Sequence, residues 1–290
     1  MAAIVLSLLG GISFGAMAIF LRKGLARVPD AELGSFHTQA FGLATALIAT
    51  AIITRFQDID IEGVWPFLVL GLAVPGMTQM MWTFAVRDIG VSRAMVITGG
   101  IPLASSVAAI IFLGEPLRAP LALGTILIVA GGVVLAWDPA RPANYKAAGV
   151  LWVLATIALF TGRDTISRWV TTDREVSGVV AASALLVGAT IAILLYIVVS
   201  RRRDRPLRQI AATWRPFVFC GIFFGAAYLS LMEAIDRGEI TIVIPLLGTF
   251  VLWTVLFAAI FLRDTEAISK RLVIAAVLVV AGAAVVGAFA

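Results

Sequence analysis

The sequence predicts an all-α polytopic membrane protein: ten transmembrane helices arranged as two five-helix inverted repeats. Three observations carry that prediction. Of 290 residues, 61% are hydrophobic and 13% charged, with a mean hydropathy of +1.05; a soluble domain holds roughly 25% charged residues, so this chain could not cover a water-facing surface. The apolar residues fall into long unbroken runs. The two halves of the chain also repeat one another at a spacing of 148–151 residues.

The runs fall at 2–21, 33–54, 64–84, 91–113, 119–137, 148–170, 177–199, 214–235, 239–262 and 271–289. A helix needs about 20 apolar residues to cross the roughly 30 Å hydrocarbon core. Strands of a transmembrane barrel are about ten residues long and alternate in polarity, which excludes a barrel. The first run has no basic residue before it and reads as a true span, not a cleavable leader. The loops are short and leave no room for a catalytic or signalling domain.

Charge orients the spans. Loops after spans one, three, five, seven and nine, with the span ends beside them, carry sixteen Lys and Arg residues, including those in the segment from Arg201 to Arg208, and the other internal loops with their span ends carry five, Arg168 among them. Basic residues favour the cytoplasmic side, so both termini are expected outside. The net charge of +5 is read by lipid headgroups and does not point to nucleic acid. With one histidine and one cysteine, Cys220, the chain has little material for a zinc or haem site, and no cofactor is expected. Cys220, inside an apolar run, reads as a small buried hydrophobe.

The repeat is visible as ordered matches: Trp65-Pro66-Phe67 with Arg215-Pro216-Phe217, Arg87-Asp88-Ile89-Gly90 with Ile235-Asp236-Arg237-Gly238, Ile111-Phe112-Leu113 with Ile260-Phe261-Leu262, and Ile128-Val129-Ala130-Gly131 with Val279-Val280-Ala281-Gly282. We place the two units at 1–142 and 143–290. Five spans per unit is an odd number, so the second unit inserts upside down. Inverted repeats place a site near the midplane between the halves and permit alternating access.

The run from Phe84 to Ala94, followed by Ile101-Pro102 and then Gly114-Glu115-Pro116-Leu117, resembles the EamA-type repeat of the drug/metabolite transporter superfamily. Two copies cover nearly the whole chain. The second copy departs from the pattern, with Arg263-Asp264 in place of Gly114-Glu115 and its proline earlier, at Pro245. Among branches, the resemblance is nearest to YddG-like exporters of amino acids, aromatic ones included. It implies a basket of ten helices around a central cavity, in a bacterial inner membrane, with periplasmic termini from the charge count. A monomer is the expectation.

Candidate pathway residues follow from polarity inside apolar runs. Arg163 and Asp164 stand adjacent in the middle of span six. A charge at the bilayer centre costs at least roughly 2.5–3.5 kcal/mol on insertion scales, so the pair must face protein or water. Arg163 is the candidate for a substrate carboxylate and Asp164 for an ammonium or a proton. The alternative is that each pairs with a neighbouring helix, and adjacent helical residues point about 100° apart. His37 could relay protons or simply make a hydrogen bond. Gln79, Met80, Trp82, Tyr228 and Met232 offer a polarisable, aromatic lining, with Met77 and Met81 on one helical face and Thr78 and Trp82 on another. Thr98, Gly99 and Trp253 complete the candidate binding set. Gly100 and Pro102, and Pro245 and Gly248, mark helix breaks or hinges at matching places in the two halves. Spans five and ten, rich in Gly, Ala and Val, read as scaffold between the halves or as a dimer contact. Aligning Phe160 with Phe14 sets Arg163 and Asp164 at the repeat positions of Met17 and Ala18.

These features predict a secondary transporter exporting amino acids and related small metabolites, or a multidrug exporter of the same fold. An intramembrane enzyme would need a recognisable cluster such as paired histidines with a carboxylate, and the single histidine counts against one; a receptor would usually carry a signalling domain, for which the loops are too short; and no nucleotide-binding motif points to ATP-driven transport.

Overall fold

The computed structural model describes residues 1–54, 61–78, 81–82, 85, 97–98, 100–136, 148–174, 176–200, 206–261 and 270–289. Among the described residues, each predicted run is mainly helical. The helices are α1 (Ala2–Arg27), α2 (Ala31–Thr54), α3 (Ile61–Gly71), α4 (Ile101–Leu113), α5 (Ala119–Ala136), α6 (Ala148–Arg174), α7 (Gly178–Ser200), α8 (Pro206–Thr213), α9 (Val218–Arg237), α10 (Ile240–Leu247), α11 (Phe250–Phe261) and α12 (Lys270–Phe289). Among the described residues, five helical stretches are long and apolar enough to span by themselves: Ala2–Arg27, Glu32–Thr54, Ala148–Asp173, Gly178–Ser200 and Arg215–Arg237. The remaining spans are represented by shorter apolar helices. Large apolar side chains such as Ile48, Ile52, Leu195, Val277 and Val280 are exposed on the outside of the bundle. Residues of that kind on an outer surface fit lipid as the solvent.

The packing exchanges the halves. α1 of the first half lies against α9, α10 and α11 of the second, and α6 of the second half lies against α4 and α3 of the first. α2 packs on α9 and α3 packs on α7, while α2 pairs with α7 and α5 with α12. Paired glycines mark the relation. A methyl group on Gly71 would come within 2.0 Å of the Leu185 carbonyl oxygen, and one on Gly188 within 2.1 Å of the Leu68 carbonyl oxygen, so α3 and α7 touch backbone to backbone. Gly221 and Gly42 do the same between α9 and α2, where a methyl on Gly221 would lie 2.2 Å from Phe41 Cβ. Small residues permit such approach inside membranes. Gly71 and Gly221 stand 150 residues apart, and Gly42 and Gly188 stand 146 apart, the offset that also aligns Phe14 with Phe160, so the same close contact recurs in the two halves.

Two details differ from the expectation. Span three does not run straight: α3 gives way at Leu72–Met77 to a π-helical turn that contains Pro75 and an extended Val74 (φ −135°, ψ 114°). The sequence predicts helix breaks only in spans four and nine. Arg168, counted with an outer loop, belongs to α6 and donates to the Ile235 and Asp236 carbonyl oxygens at 2.8 and 2.7 Å, closing the C-terminal end of α9.

Candidate substrate-binding site

The interior holds a cavity of about 320 Å³, walled by α1, the continuation of α3 at Pro75, Thr78 and Trp82, Thr98, α4, α5, α6, α9, α10 and α11. Its wall is mainly apolar and aromatic. Phe14 meets Tyr228 at 5.8 Å, Phe224 at 6.3 Å and Phe250 at 6.3 Å, all edge to face, and Phe224 lies 4.8 Å from Tyr228. Phe160 and Trp82 extend the aromatic surface.

The polarity of the wall is concentrated in one network. Arg163 and Asp164 both line the cavity and are 4% and 0% exposed. They pair with each other: Arg163 Nε and Nη2 donate to Asp164 Oδ1 at 2.9 and 2.5 Å. Asp164 Oδ2 accepts from the Ser105 hydroxyl on α4 at 3.0 Å, and Arg163 Nη1 donates to the Tyr228 hydroxyl on α9 at 3.2 Å. The guanidinium also lies 4.9 Å from the Phe160 ring centroid and 5.6 Å from that of Tyr228, a cation–π arrangement that spreads its charge over aromatic faces. The charges therefore cancel locally. Adjacency on the helix does not keep them apart, because the long Arg163 side chain folds back over its neighbour.

Of the other candidates, Trp82, Thr98, Tyr228, Pro102 and Gly248 line the same cavity. Gln79, Met80 and Gly99 lie outside the described residues. Four candidates sit elsewhere. His37 is buried between α2 and α8, with its Nε2 3.0 Å from Thr213 Oγ1 and its ring stacked on Phe217 at 5.8 Å. Met232 is fully buried in the core shared by α7 and α9. Trp253 stacks against Phe257 at 6.2 Å, outside the cavity wall. Met77 faces outward and is exposed, whereas Thr78 and Trp82 face the cavity; the methionine face of span three is thus the outer one.

The predicted breaks take a different form in each half. Pro102 stands in the first turn of α4, with Gly100 as the N-cap residue, so it starts the described helix and does not kink it. Neither Gly100 nor Pro245 lines the cavity. Pro245 is buried inside α10, and the helix stops two residues later at the Gly248-Thr249 turn before α11. The two breaks meet: a methyl on Gly248 would lie 3.3 Å from Pro102 Cγ.

Sequence reasoning missed three contributions. Phe14, Phe160, Phe224 and Phe250 form the aromatic wall; their only signal was the Phe14–Phe160 repeat match. Ile128, Val129 and Gly132 bring α5 into the wall, so that span is more than scaffold, although its other face does pack closely on α12, where a methyl on Gly124 would come within 2.8 Å of the Gly282 carbonyl oxygen. The third is Glu115. Its two carboxylate oxygens accept from the backbone N–H groups of Ile240 and Thr241 at 2.7 and 2.9 Å, capping the N-terminus of α10 across the halves, where a carboxylate is favoured by the helix dipole. Gly114, in the left-handed conformation (φ 68°) that glycine adopts without strain, ends α4 and turns the chain toward that cap.

The EamA-like transporter family model matches residues 1–137 and again residues 147–288. A solved crystal structure shares the fold with a TM-score of 0.79 at 20% identity, over 99% of this chain and 97% of that one. No curated protein matches. A bundle of two swapped halves enclosing a lined cavity defines a multi-pass membrane transporter. The chain belongs to the EamA-like transporter family, and it acts as a secondary transporter on a small-molecule substrate.

Proposed function

We propose that the chain exports amino acids, aromatic ones included, together with related small metabolites, by alternating access. The self-neutralised Arg163–Asp164 pair in an aromatic cavity carries this reading. A zwitterion can part the two side chains and replace one ion pair with two, its carboxylate on Arg163 and its ammonium on Asp164, with no net buried charge. A lipophilic cation bound to Asp164 would leave the Arg163 guanidinium uncompensated, and unpaired buried charges are costly. The volume of about 320 Å³ lies at the small end of the roughly 300–1,000 Å³ typical of ligand pockets, which suits a metabolite better than a large drug. The aromatic wall suits an apolar or aromatic side chain.

In this reading the halves rock about the junction of Pro102 with Gly248, and the Glu115 cap on α10 fastens one end of the bundle. The termini lie on the periplasmic side of a bacterial inner membrane, in accord with the charge count; labelling of a cysteine placed at Ala2 or Ala290 tests this, since Cys220 is buried. The function itself is tested by counterflow in liposomes with a panel of amino acids and cationic dyes. Movement of phenylalanine or leucine is expected, and movement of dyes without any amino acid overturns the reading.

A further inference from the structure

Threonines inside helices usually return their hydroxyl proton to the carbonyl four residues earlier, and this chain follows that habit repeatedly. Thr38, Thr45, Thr125, Thr156 and Thr190 donate to the carbonyls of Gly34, Phe41, Leu121, Trp152 and Leu186 at 2.7–2.9 Å. Thr78 does not. Its fourth predecessor is Val74, whose extended backbone breaks the helix (φ −135°, ψ 114°) and takes that carbonyl out of the ladder. The Thr78 hydroxyl is left with no hydrogen-bond partner although the residue is only 2% exposed. Thr78 lines the cavity that also holds Arg163, Asp164 and Tyr228.

An unpartnered buried hydroxyl is unfavourable, and each such group in a native protein calls for an explanation. We propose that Thr78 is a specificity-determining residue whose hydroxyl donates to the carboxylate of a zwitterionic substrate. This rests on the amino-acid reading above and assigns the parts of the head group. The ammonium already has Asp164 and, beside it, the Ser105 hydroxyl. A carboxylate offers about four acceptor sites, and one guanidinium edge fills two of them. The Thr78 hydroxyl, reoriented by rotation about a single side-chain bond, is the donor without an acceptor on the same wall. The helix break at Val74 thus keeps a donor free for substrate.

The test is binding of phenylalanine to the purified native protein, to Thr78→Val and to Thr78→Ser. Thr78→Val is expected to weaken phenylalanine binding about tenfold, in the range for losing one hydrogen bond to a charged group. Thr78→Ser keeps native affinity. The melting temperature of ligand-free Thr78→Val stays level or rises, because the variant removes an unsatisfied group. Unchanged phenylalanine affinity in Thr78→Val overturns the inference, as does a loss of affinity in Thr78→Ser equal to that in Thr78→Val, or a fall in melting temperature that Thr78→Ser shares. If the native protein binds no amino acid, the parent reading fails and this inference falls with it; unchanged affinity in Thr78→Val fails this inference alone.

Discussion

α1 and α6 hold the same place in the two repeats, and both face the cavity, yet they bring opposite chemistry to it. α1 presents Phe14, Met17 and Ala18; α6 presents Phe160, Arg163 and Asp164. Phenylalanine is kept at the matching position while a charged pair replaces Met and Ala. The two helices also dock differently. α1 is wedged against α11, where a methyl on Gly15 would fall 2.6 Å from Trp253 Cβ and 2.9 Å from the Thr254 nitrogen, whereas a methyl on Gly162 of α6 meets nothing within 4 Å. One repeat element has become a close-packed apolar wall, and its twin has become the polar element of the site, joined by hydrogen bonds to α4 and α9. An inverted repeat builds a symmetric container, and here the symmetry is broken at two adjacent residues; the proposed selectivity for a zwitterion rests on that break.

The sharpest way to break the comparison is to make α6 resemble α1. Arg163→Ala leaves the buried Asp164 without its cation, and removal of one partner of a buried pair costs about 3–5 kcal/mol. Amino-acid transport is expected to fall on the order of a hundredfold or more, with a large drop in melting temperature. The double variant Arg163→Met/Asp164→Ala copies the α1 residues. Replacing a buried ion pair with apolar side chains is often neutral or stabilising, so this variant is expected to regain thermal stability while transport of zwitterions stays lost. Native counterflow rates in the double variant would show that the pair is no part of the site.

The docking difference yields the next effect. Gly15→Ala is expected to destabilise by about 2–3 kcal/mol, because the methyl meets backbone as well as side chain. Gly162→Ala is expected to stabilise by about 0.5–1 kcal/mol through helix propensity. Thermal unfolding in one detergent would compare them directly; equal effects would mean that α1 and α6 are packed alike.

Glu115 probes the contact between halves. Glu115→Gln keeps the shape but loses the charge and leaves one acceptor oxygen for the two N–H groups of Ile240 and Thr241, and a loss of about 1 kcal/mol is expected, as for other N-terminal caps. Glu115→Ala should lose more than Glu115→Gln. A neutral result in both variants would mean that the α10 terminus is satisfied by water.

The sequence made the spans legible because an apolar run of about 20 residues has few other uses, and it made the repeat legible because matches recurred in order at nearly constant spacing. Arg163 and Asp164 were legible as a cost. Their mutual pairing was not, since it depends on how one side chain folds back over the next. The outward Met77 and inward Thr78 show the limit of helical phase: spacing separates two faces without saying which is wet. The break at Val74–Pro75 could have been read from Pro75, but a proline inside an apolar run is tolerated in many membrane helices. His37 misled for a related reason, since a titratable type in a span suggests traffic wherever it sits.

His37 therefore supplies the smallest expected effect and the last check on the asymmetry. It lies on α2, whose repeat partner α7 has Ser183 at the position aligned with it. Its ring makes one hydrogen bond, to Thr213, and stacks on Phe217, so it joins α2 to α8 and to the start of α9. None of its contacts reaches the cavity wall. A single neutral hydrogen bond contributes about 0.5–1.5 kcal/mol, and His37→Gln, which can still reach a hydroxyl, is expected to lose no more than that. Counterflow of amino acids, and its dependence on pH, are expected to match the native protein. A flattened pH profile in His37→Gln with Arg163 and Asp164 intact would place a proton path along α2, and the polarity of the transporter would then no longer belong to α6 alone.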